Sequence, residues 1–372
     1  MTPRRLLLIS GEHPPMPGGV GDYTASLRTA LVAQGVDSVV LASRGARGDG
    51  VHTVRGWRSG TFRRVSSLIA SEGVDLVHIQ YQAGAYDMRF AVNTLPYAIR
   101  SRLGLPVVTT FHDLRPPYLF PKAGPLRNLV MLRMARAAAA VVVTNAGDER
   151  ALARKRIASE LIHIGPNLPP PDPDAGDVDR GTVAFFGFPS RSKGVVELIE
   201  ALGMIDSRSR PRLALVGEQG LPSANNDILK AQEIDQRAAS AGVRVERTGR
   251  LPAQEASNRL ARAAVIALPF QGGASLRSGS LLAALQAGRP VVTTEPANAW
   301  RLGALAGMQQ FALVIRDDPE DLRDAIVDAL ASPPAAGPLP PEFRWQAIAE
   351  RHRALYASLP DGKAGNRRSR SR

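Results

Sequence analysis

The chain has no cysteine. That excludes disulfide staples, thiolate metal sites and cysteine nucleophiles, and it suits a reducing compartment, so a cytoplasmic protein is expected. Long apolar runs are also missing. None approaches the ~18 residues that would span a bilayer, and the "LLLIS" after Arg4 and Arg5 is shorter than the roughly 7–15 residues of an export segment. It reads as a buried first strand. The six histidines, His13, His52, His78, His112, His163 and His352, stand apart without paired carboxylates, so no metal site is expected. No G-x-S-x-G elbow, Walker loop or G-x-G-x-x-G fingerprint occurs.

What is present is apolar enough, at 44%, to build real cores, and 372 residues fit two domains better than one. Charge is uneven. Residues 1–172 hold 21 Lys/Arg against 12 Asp/Glu, residues 173–360 hold 21 of each, and the tail from Asp361 holds five bases and one acid. A basic first half suits an acidic partner on that half, or simply solubility.

Short apolar or β-branched runs alternate with helical patterns throughout. Strands are expected at 5–10, 38–43, 75–80, 106–111 and 139–145, with helices near 22–34, 60–72, 88–103, 125–137 and 147–158. The Pro- and Asp-rich "GPNLPPPDPDAGDVDRG" (165–181) breaks this rhythm, because proline removes donors and stiffens the chain. A second series follows, with strands at 182–188, 212–217, 243–249, 264–270, 289–294 and 311–316. Its helices lie near 193–204, 228–240, 253–263, 278–287 and 318–331. Strands apolar throughout and separated by helices imply parallel sheets covered on both faces. The expected class is α/β, with a first domain at 1–170, a linker at 171–181, a second domain at 182–342 and a last amphipathic helix at 343–359. A basic tail at 360–372 lacks apolar anchors and is expected to be disordered. Two doubly wound domains would place a cleft at their strand ends, so the loops after strands are where chemistry is sought.

Four such loops stand out. In "GEHPPMPGGVGDYTASL" (11–27), Gly18, Gly19 and Gly21 remove Cβ atoms beside a helix N-terminus. This suits a phosphate or a sugar edge, or a merely tight turn. In "VVTTFHDLRPP" (107–117), His112 follows a buried strand and is placed to donate to a sugar hydroxyl or balance developing charge. Taken alone, it reads rather as a structural histidine hydrogen-bonded to a loop carbonyl. In "FFGFPSRSKGVVELIEAL" (185–202), Arg191 and Lys193 sit at the positive end of a helix, unfavourably unless an anion binds there. In "LPFQGGASLRSGSLLAALQAGRPVVTT" (268–294), the N–H groups of Ser278, Gly279 and Ser280 would converge on an anion beside the Arg277 guanidinium.

These loops, in this order over about 5–359, resemble the GT-B glycosyltransferases of the retaining family-4 type. "PPMPGGVGDYTASL" is similar to that family's donor-contacting glycine loop, "VVTTFHDL" to the strand carrying its donor-sugar histidine, "FFGFPSRSKGVVELIEAL" to its phosphate site, and "AALQAGRPVV" to its nucleotide-loop helix. The resemblance implies two Rossmann-like domains facing across a cleft, the first on the acceptor side, with the 343–359 helix crossing back to it. It implies transfer from a nucleotide-diphosphate sugar as co-substrate, with retention and without metal or other cofactor. His112, Lys193 and Arg277 would be the catalytic groups, and Gly187, Gly217, Gly249 and Leu251 would line the nucleotide pocket. The sequence departs from the family at Ser275 and Ala283, where two glutamates eight apart are usual, and at Phe188, where an arginine is usual. A divergent branch, an unusual donor or reduced activity follows.

The acceptor is not named by these residues, and an anionic or lipid-linked one is expected. Arg55, Arg58, Arg63 and Arg64 stand among Trp57 and Phe62 and suit either peripheral contact with an anionic membrane or an ordinary solvated helix face. Two other readings of the architecture stay open. One is a catalytically silent scaffold, the other a sugar-nucleotide 2-epimerase, although Glu12, Asp22, Asp113 and Glu218 show no acid–base pairing. No recognition motif accompanies the basic tail, so specific nucleic-acid binding is not expected.

Overall fold

A computed structural model describes residues 3, 5–114, 124–217, 229–297 and 302–360. Glu218 and the tail from Asp361 lie outside the described residues. The chain divides into two compact units, Met1–Gly165 with Arg344–Arg372, and Pro166–Phe343.

The first unit holds strands β1 (Arg5–Ser10), β2 (Asp37–Ser43), β3 (Val51–Val54), β4 (Leu76–Tyr81), β5 (Val107–Phe111), β6 (Ala140–Val143) and β7 (Glu160–Leu161). All pair in parallel, in the order β3-β2-β1-β4-β5-β6-β7. Helices α1 (Gly19–Ala33), α2 (Thr61–Glu72), α3 (Leu95–Leu103), α4 (Gly124–Ala137) and α5 (Ala146–Ala153) connect them. Alternate strand residues serve opposite faces. Leu7, Ile9, Val39, Leu41, Val77 and Ile79 pack with Val65 and Leu68 of α2, Ile99 of α3 and Met134 of α4. Leu6, Leu8, Val40, Ala42 and Leu76 pack on the other side with Tyr23, Leu27 and Leu31 of α1. Burial on both faces is why these strands read as apolar runs. Helix lengths follow their stops: α2 and α3 end at Gly73 and Gly104, both in the left-handed conformation that favours glycine. The strands β3 and β7 were not expected. One is "VHTV" with partly exposed side chains, the other only two residues long, and short edge strands leave little apolar signal.

The second unit holds β8 (Asp179–Phe186), β9 (Arg212–Val216), β10 (Val245–Gly249), β11 (Ala263–Leu268), β12 (Val291–Thr294) and β13 (Phe311–Val314). They form one sheet in the order β10-β9-β8-β11-β12-β13. Its helices are α6 (Val195–Gly203), α7 (Ala231–Ala241), α8 (Ala253–Ala261), α9 (Gly279–Gln286) and α10 (Pro319–Ala331). β8 begins three residues before the expected 182, because the Asp179 carboxylate is held by the Arg212 guanidinium and the Thr182 hydroxyl. The order inward from β3 and from β10 is the same doubly wound arrangement. It reverses beside β1 and β8, where open α/β sheets bind ligands at their carboxyl edges.

The last helix, α11 (Trp345–Ser358), returns to the first unit. Ile348, Ala349 and Tyr356 join the apolar face of α1, and the Trp345 ring lies 5.3 Å from that of Tyr23. The seam is polar at its centre. His78 Nδ1–H donates to Tyr356 Oη at 2.7 Å, Thr110 Oγ1 lies 2.7 Å from His78 Nε2, and Tyr23 Oη pairs with His352 Nε2 at 3.0 Å. Burial keeps these imidazoles neutral, pushing His78 well below its usual range and His352 down to about 3.

Folding therefore keeps protons off these rings while the unfolded chain accepts them near pH 6.5. Stability is full above that pH and falls as pH drops toward about 3. For His352, and for His112, whose value is also about 3, the loss should reach about 2 kcal/mol each by pH 5. The raised Glu12 carboxyl works in the opposite direction. Urea midpoints measured at pH 7.5 and pH 5.0 check this, and equal midpoints would contradict it. His352→Leu should flatten the pH slope by about one proton, whatever it does to stability itself.

Candidate functional site

In the first unit, the loop after β1 is closed by its own carboxylate. Glu12 folds back so that Oε1 accepts the N–H groups of Val20, at 3.0 Å, and Gly21, at 3.4 Å. A Cβ on Gly18 would stand 2.0 Å from Glu12 Oε2, and one on Gly21 would crowd Glu12 and His13 backbone at 3.1 Å. Gly19 alone faces open space. The positive end of α1, where a phosphate, a sugar edge or a merely tight turn was expected at Gly18, Gly19 and Gly21, has two of its N–H groups bonded from within by Glu12. A carboxylate already occupying two of its N–H groups would repel a second anion. Burial pushes the Glu12 carboxyl up, against the two backbone hydrogen bonds that lower it.

His112 follows β5, half-buried, with its N–H donating to Tyr81 O at 2.9 Å. Its Nε2 pairs with Gln80 Oε1 at 3.0 Å, and Gln80 Nε2 reaches His78 Nε2 at 3.2 Å. The Tyr23 ring packs edge-on at 4.6 Å. Desolvation drives the imidazole down to about 3, so it is neutral at physiological pH. With Nε2–H donating to Gln80, Nδ1 is an acceptor for a hydroxyl. Of the two expected roles, donation to a sugar hydroxyl or balancing of developing charge, the described contacts leave Nδ1 as an acceptor on a neutral ring. Glu12 and Gln80 were not among the expected site residues. The signal for Gln80 was a second polar residue two places after His78 in a strand otherwise apolar, which puts both on one buried face.

In the second unit, β8 runs into Gly187, whose φ of 118° lies in glycine's region and whose N–H donates to Val216 O at 3.0 Å. Gly217, at the end of β9, approaches so closely that a Cβ would stand 3.2 Å from Gly187 O. It also bridges to Gly249 at the end of β10. These three expected nucleotide-pocket glycines form one Cβ-free ledge, and half-buried Leu251 follows just beyond Gly249.

Lys193 ends a short 3-10 turn, Arg191–Lys193, before α6. Its Nζ is folded over the ledge, 2.5 Å from where a Gly187 Cβ would stand. Among the described residues it has no hydrogen-bond or ion-pair partner, and desolvation lowers its ammonium to about 8. Arg191 behaves differently. It is ion-paired with Glu233 of α7, so its charge is already answered, and its expected role on phosphate is replaced by that pair.

The turn is stitched to the loop after β11. Gln271 N–H donates to Ser192 O at 3.0 Å, and a Cβ on Gly194 would stand 1.9 Å from Pro269 O. That loop winds through Ser275, whose Oγ accepts the Arg277 N–H at 3.3 Å. Ser278 then caps α9, its Oγ accepting the Leu281 N–H at 3.2 Å. The Ser278 N–H is spent on Ser275 O at 3.0 Å, so of the three amides expected to meet an anion, only those of Gly279 and Ser280 have no partner among the described residues. The Arg277 side chain is exposed beside them, while Ala283 is buried within α9. Lys193, Arg277, Gly279 and Ser280 thus lie on two adjoining loops of one unit, and His112 belongs to the other.

Arg55, Arg58, Arg63 and Arg64 are exposed. Trp57, however, is 1% exposed and donates through Nε1 to Ser43 Oγ at 2.8 Å. Phe62 is half-buried beneath the Arg102 guanidinium, 5.1 Å from its ring. The aromatic residues on which the membrane contact depended are therefore inside the fold. No described helix is long and apolar enough to cross a membrane.

Two family models match the chain, the glycosyl transferase 4-like domain over residues 18–167 and glycosyl transferases group 1 over residues 180–332. None of the curated proteins searched matches it. Among solved structures, sucrose-phosphate synthase from Thermosynechococcus elongatus is 21% identical with a TM-score of 0.69, covering 95% of this chain and 98% of its own. The HepE protein of Anabaena, solved in complex with UDP and glucose, is 17% identical with a TM-score of 0.63, covering 96% of each chain. A UDP-N-acetylglucosamine 2-epimerase from Listeria monocytogenes, named as such without established activity, is 13% identical with a TM-score of 0.60, covering 96% and 98%. At these identities the likeness is one of fold, two Rossmann-like parallel-sheet domains of the GT-B type.

Gly187→Ala should forfeit about 1–3 kcal/mol of stability from the positive φ alone. It should also displace the Lys193 ammonium and weaken nucleoside diphosphate binding. Urea denaturation and calorimetric titration with UDP read the two effects separately. An alanine tolerated in both would show that the ledge is not needed.

Proposed function

We propose, because this chain belongs to the group 1 glycosyl transferases with a 4-like first domain, that it moves a sugar from a nucleotide-diphosphate sugar with retention at the anomeric carbon and without a metal. The observation that carries this reading is the unpaired Lys193 ammonium held over the glycine ledge, on a turn bonded to the loop that leads into α9.

A partly desolvated cation with no carboxylate is unfavourable until an anion arrives. A donor diphosphate would supply that anion, and Lys193, Arg277 and the Gly279 and Ser280 N–H groups would stabilise it as it leaves. Electrostatic stabilisation of a charge that grows in the transition state is the type of catalysis usually worth most. Gly187, Gly217, Gly249 and Leu251 would accommodate the nucleotide. Neutral His112 would accept a hydrogen bond from a sugar hydroxyl. Neither Ser275 nor Ala283 offers a carboxylate to the donor, so sugar and ribose would be held through other contacts. That loss is also the argument for a silent GT-B scaffold, and ligand binding separates the two readings.

The first experiment is a donor-hydrolysis screen of UDP-, GDP- and ADP-sugars by mass spectrometry, with UDP-sugars foremost because HepE was solved with UDP. Hydrolysis of at least one is expected. Failure of every nucleoside diphosphate to bind at millimolar concentration would instead support the scaffold. Lys193→Ala should lower kcat/KM for the donor by about 10²–10³-fold. Because the free ammonium is lowered to about 8 and a bound diphosphate raises it, UDP binding near pH 8.5 should take up a fraction of a proton in wild type. Lys193→Ala should show none. Calorimetry in two buffers of different ionisation enthalpy measures this.

A further inference from the structure

A second site lies wholly within the first unit. Trp57, Arg58, Thr61, Phe62, Arg89 and Phe90 line a groove of about 310 Å³. The residues lining it come from the β3–α2 connection and from the segment after β4. In a parallel sheet both of these leave at the carboxyl edge, the same edge as the loop after β1 and His112 after β5.

The groove has the chemistry of an oxyanion site. No acidic residue lines it. Arg58 and Arg89 are exposed, and neither is ion-paired among the described residues. The 12-residue helix α2 points its N-terminus here, with no side-chain cap from Gly60 and no acid in its first turn. Thr61 N–H and Arg64 N–H bond to Arg58 O and Gly60 O, which leaves those of Phe62 and Arg63 open among the described residues. Thr61, at that helix start, is 4% exposed, and its Oγ1 is buried without any hydrogen-bond partner. An unsatisfied hydroxyl thus stands at the same uncapped helix end. Contrast α1, whose N-terminus is filled by Glu12.

The remaining walls are apolar. Phe90 is 53% exposed, and its ring offers flat surface of the kind on which a pyranose C–H face rests. The floor is rigid and tied to the glycine loop. Trp57 Nε1–H donates to Ser43 Oγ, which in turn donates to Gly11 O. Its ring meets Tyr86 edge-on at 4.7 Å, and Tyr86 Oη reaches Ile9 O at 3.0 Å.

We propose that this groove binds the acceptor, and that the acceptor is a saccharide carrying a carboxylate or phosphate. The oxyanion sits between Arg58, Arg89 and the start of α2, and the sugar ring lies on Phe90. The inference rests on the glycosyl-transfer reading for the word acceptor, but not for the binding itself.

Saturation-transfer NMR and calorimetry with methyl glucuronoside, glucose 6-phosphate, methyl glucoside and inorganic phosphate test it without donor. Both charged sugars should bind in the millimolar range or tighter, and the neutral sugar and free phosphate at least about tenfold more weakly. The Arg58→Ala/Arg89→Ala variant should lose at least about tenfold in affinity for the charged sugars while its UDP affinity stays unchanged. Thr61→Val, nearly isosteric, should weaken them by a smaller factor. Preference for phosphate alone, equal binding of the neutral glycoside, no binding of any probe, or an unaffected double variant would each overturn the proposal. Charged sugars binding to a protein that ignores UDP would count against the donor reading and leave the groove standing.

Discussion

The second unit holds one positive charge, on Lys193, that no described side chain answers. Lys193 is brought over a ledge of three glycines by a turn that is held at two points, where Gly194 lies close against the Pro269 carbonyl and Ser192 O accepts the Gln271 N–H. Water is partly removed from the ammonium and no described carboxylate replaces it. Proteins place lone charges in such settings at a cost in stability, and the cost is recovered when an anion binds. The start of α9, at the end of the loop bonded to this turn, has two open amides and so carries partial charge of the same sign.

The two units handle the same local motif in opposite ways. Each has a strand, a glycine-rich turn and a helix whose N-terminus points at the carboxyl edge of its sheet. In the first unit the turn carries its own anion, Glu12, and the nearby histidine is neutral. In the second unit the turn carries a cation and leaves the anion to be supplied.

The first unit is also organised around a polar seam. His78, Thr110, Tyr356, His352 and Tyr23 join the sheet, α1 and α11 by hydrogen bonds inside an otherwise apolar face. Because each group has a definite partner, the seam specifies where the returning helix sits in a way that leucine against leucine would not. Its histidines stay neutral by burial, and His112 is joined to them through Gln80.

The α/β class, the two parallel sheets and most element positions could be read along the chain, because hydrophobic period and glycine or proline punctuation are local properties. The sequence also located the loops that carry Lys193, Gly279 and Ser280. It did not reveal β3 or β7, whose short edges carry almost no apolar pattern. Tertiary structure alone decided which charged groups meet. Glu12 turned inward onto Val20 and Gly21, Arg191 went to Glu233, and Trp57 went into the core rather than to the surface. The reason is physical. A side chain's partner and its burial depend on what the fold brings across from distant segments, and desolvation, which makes His112 neutral and lowers Lys193, exists only once the chain has closed around them.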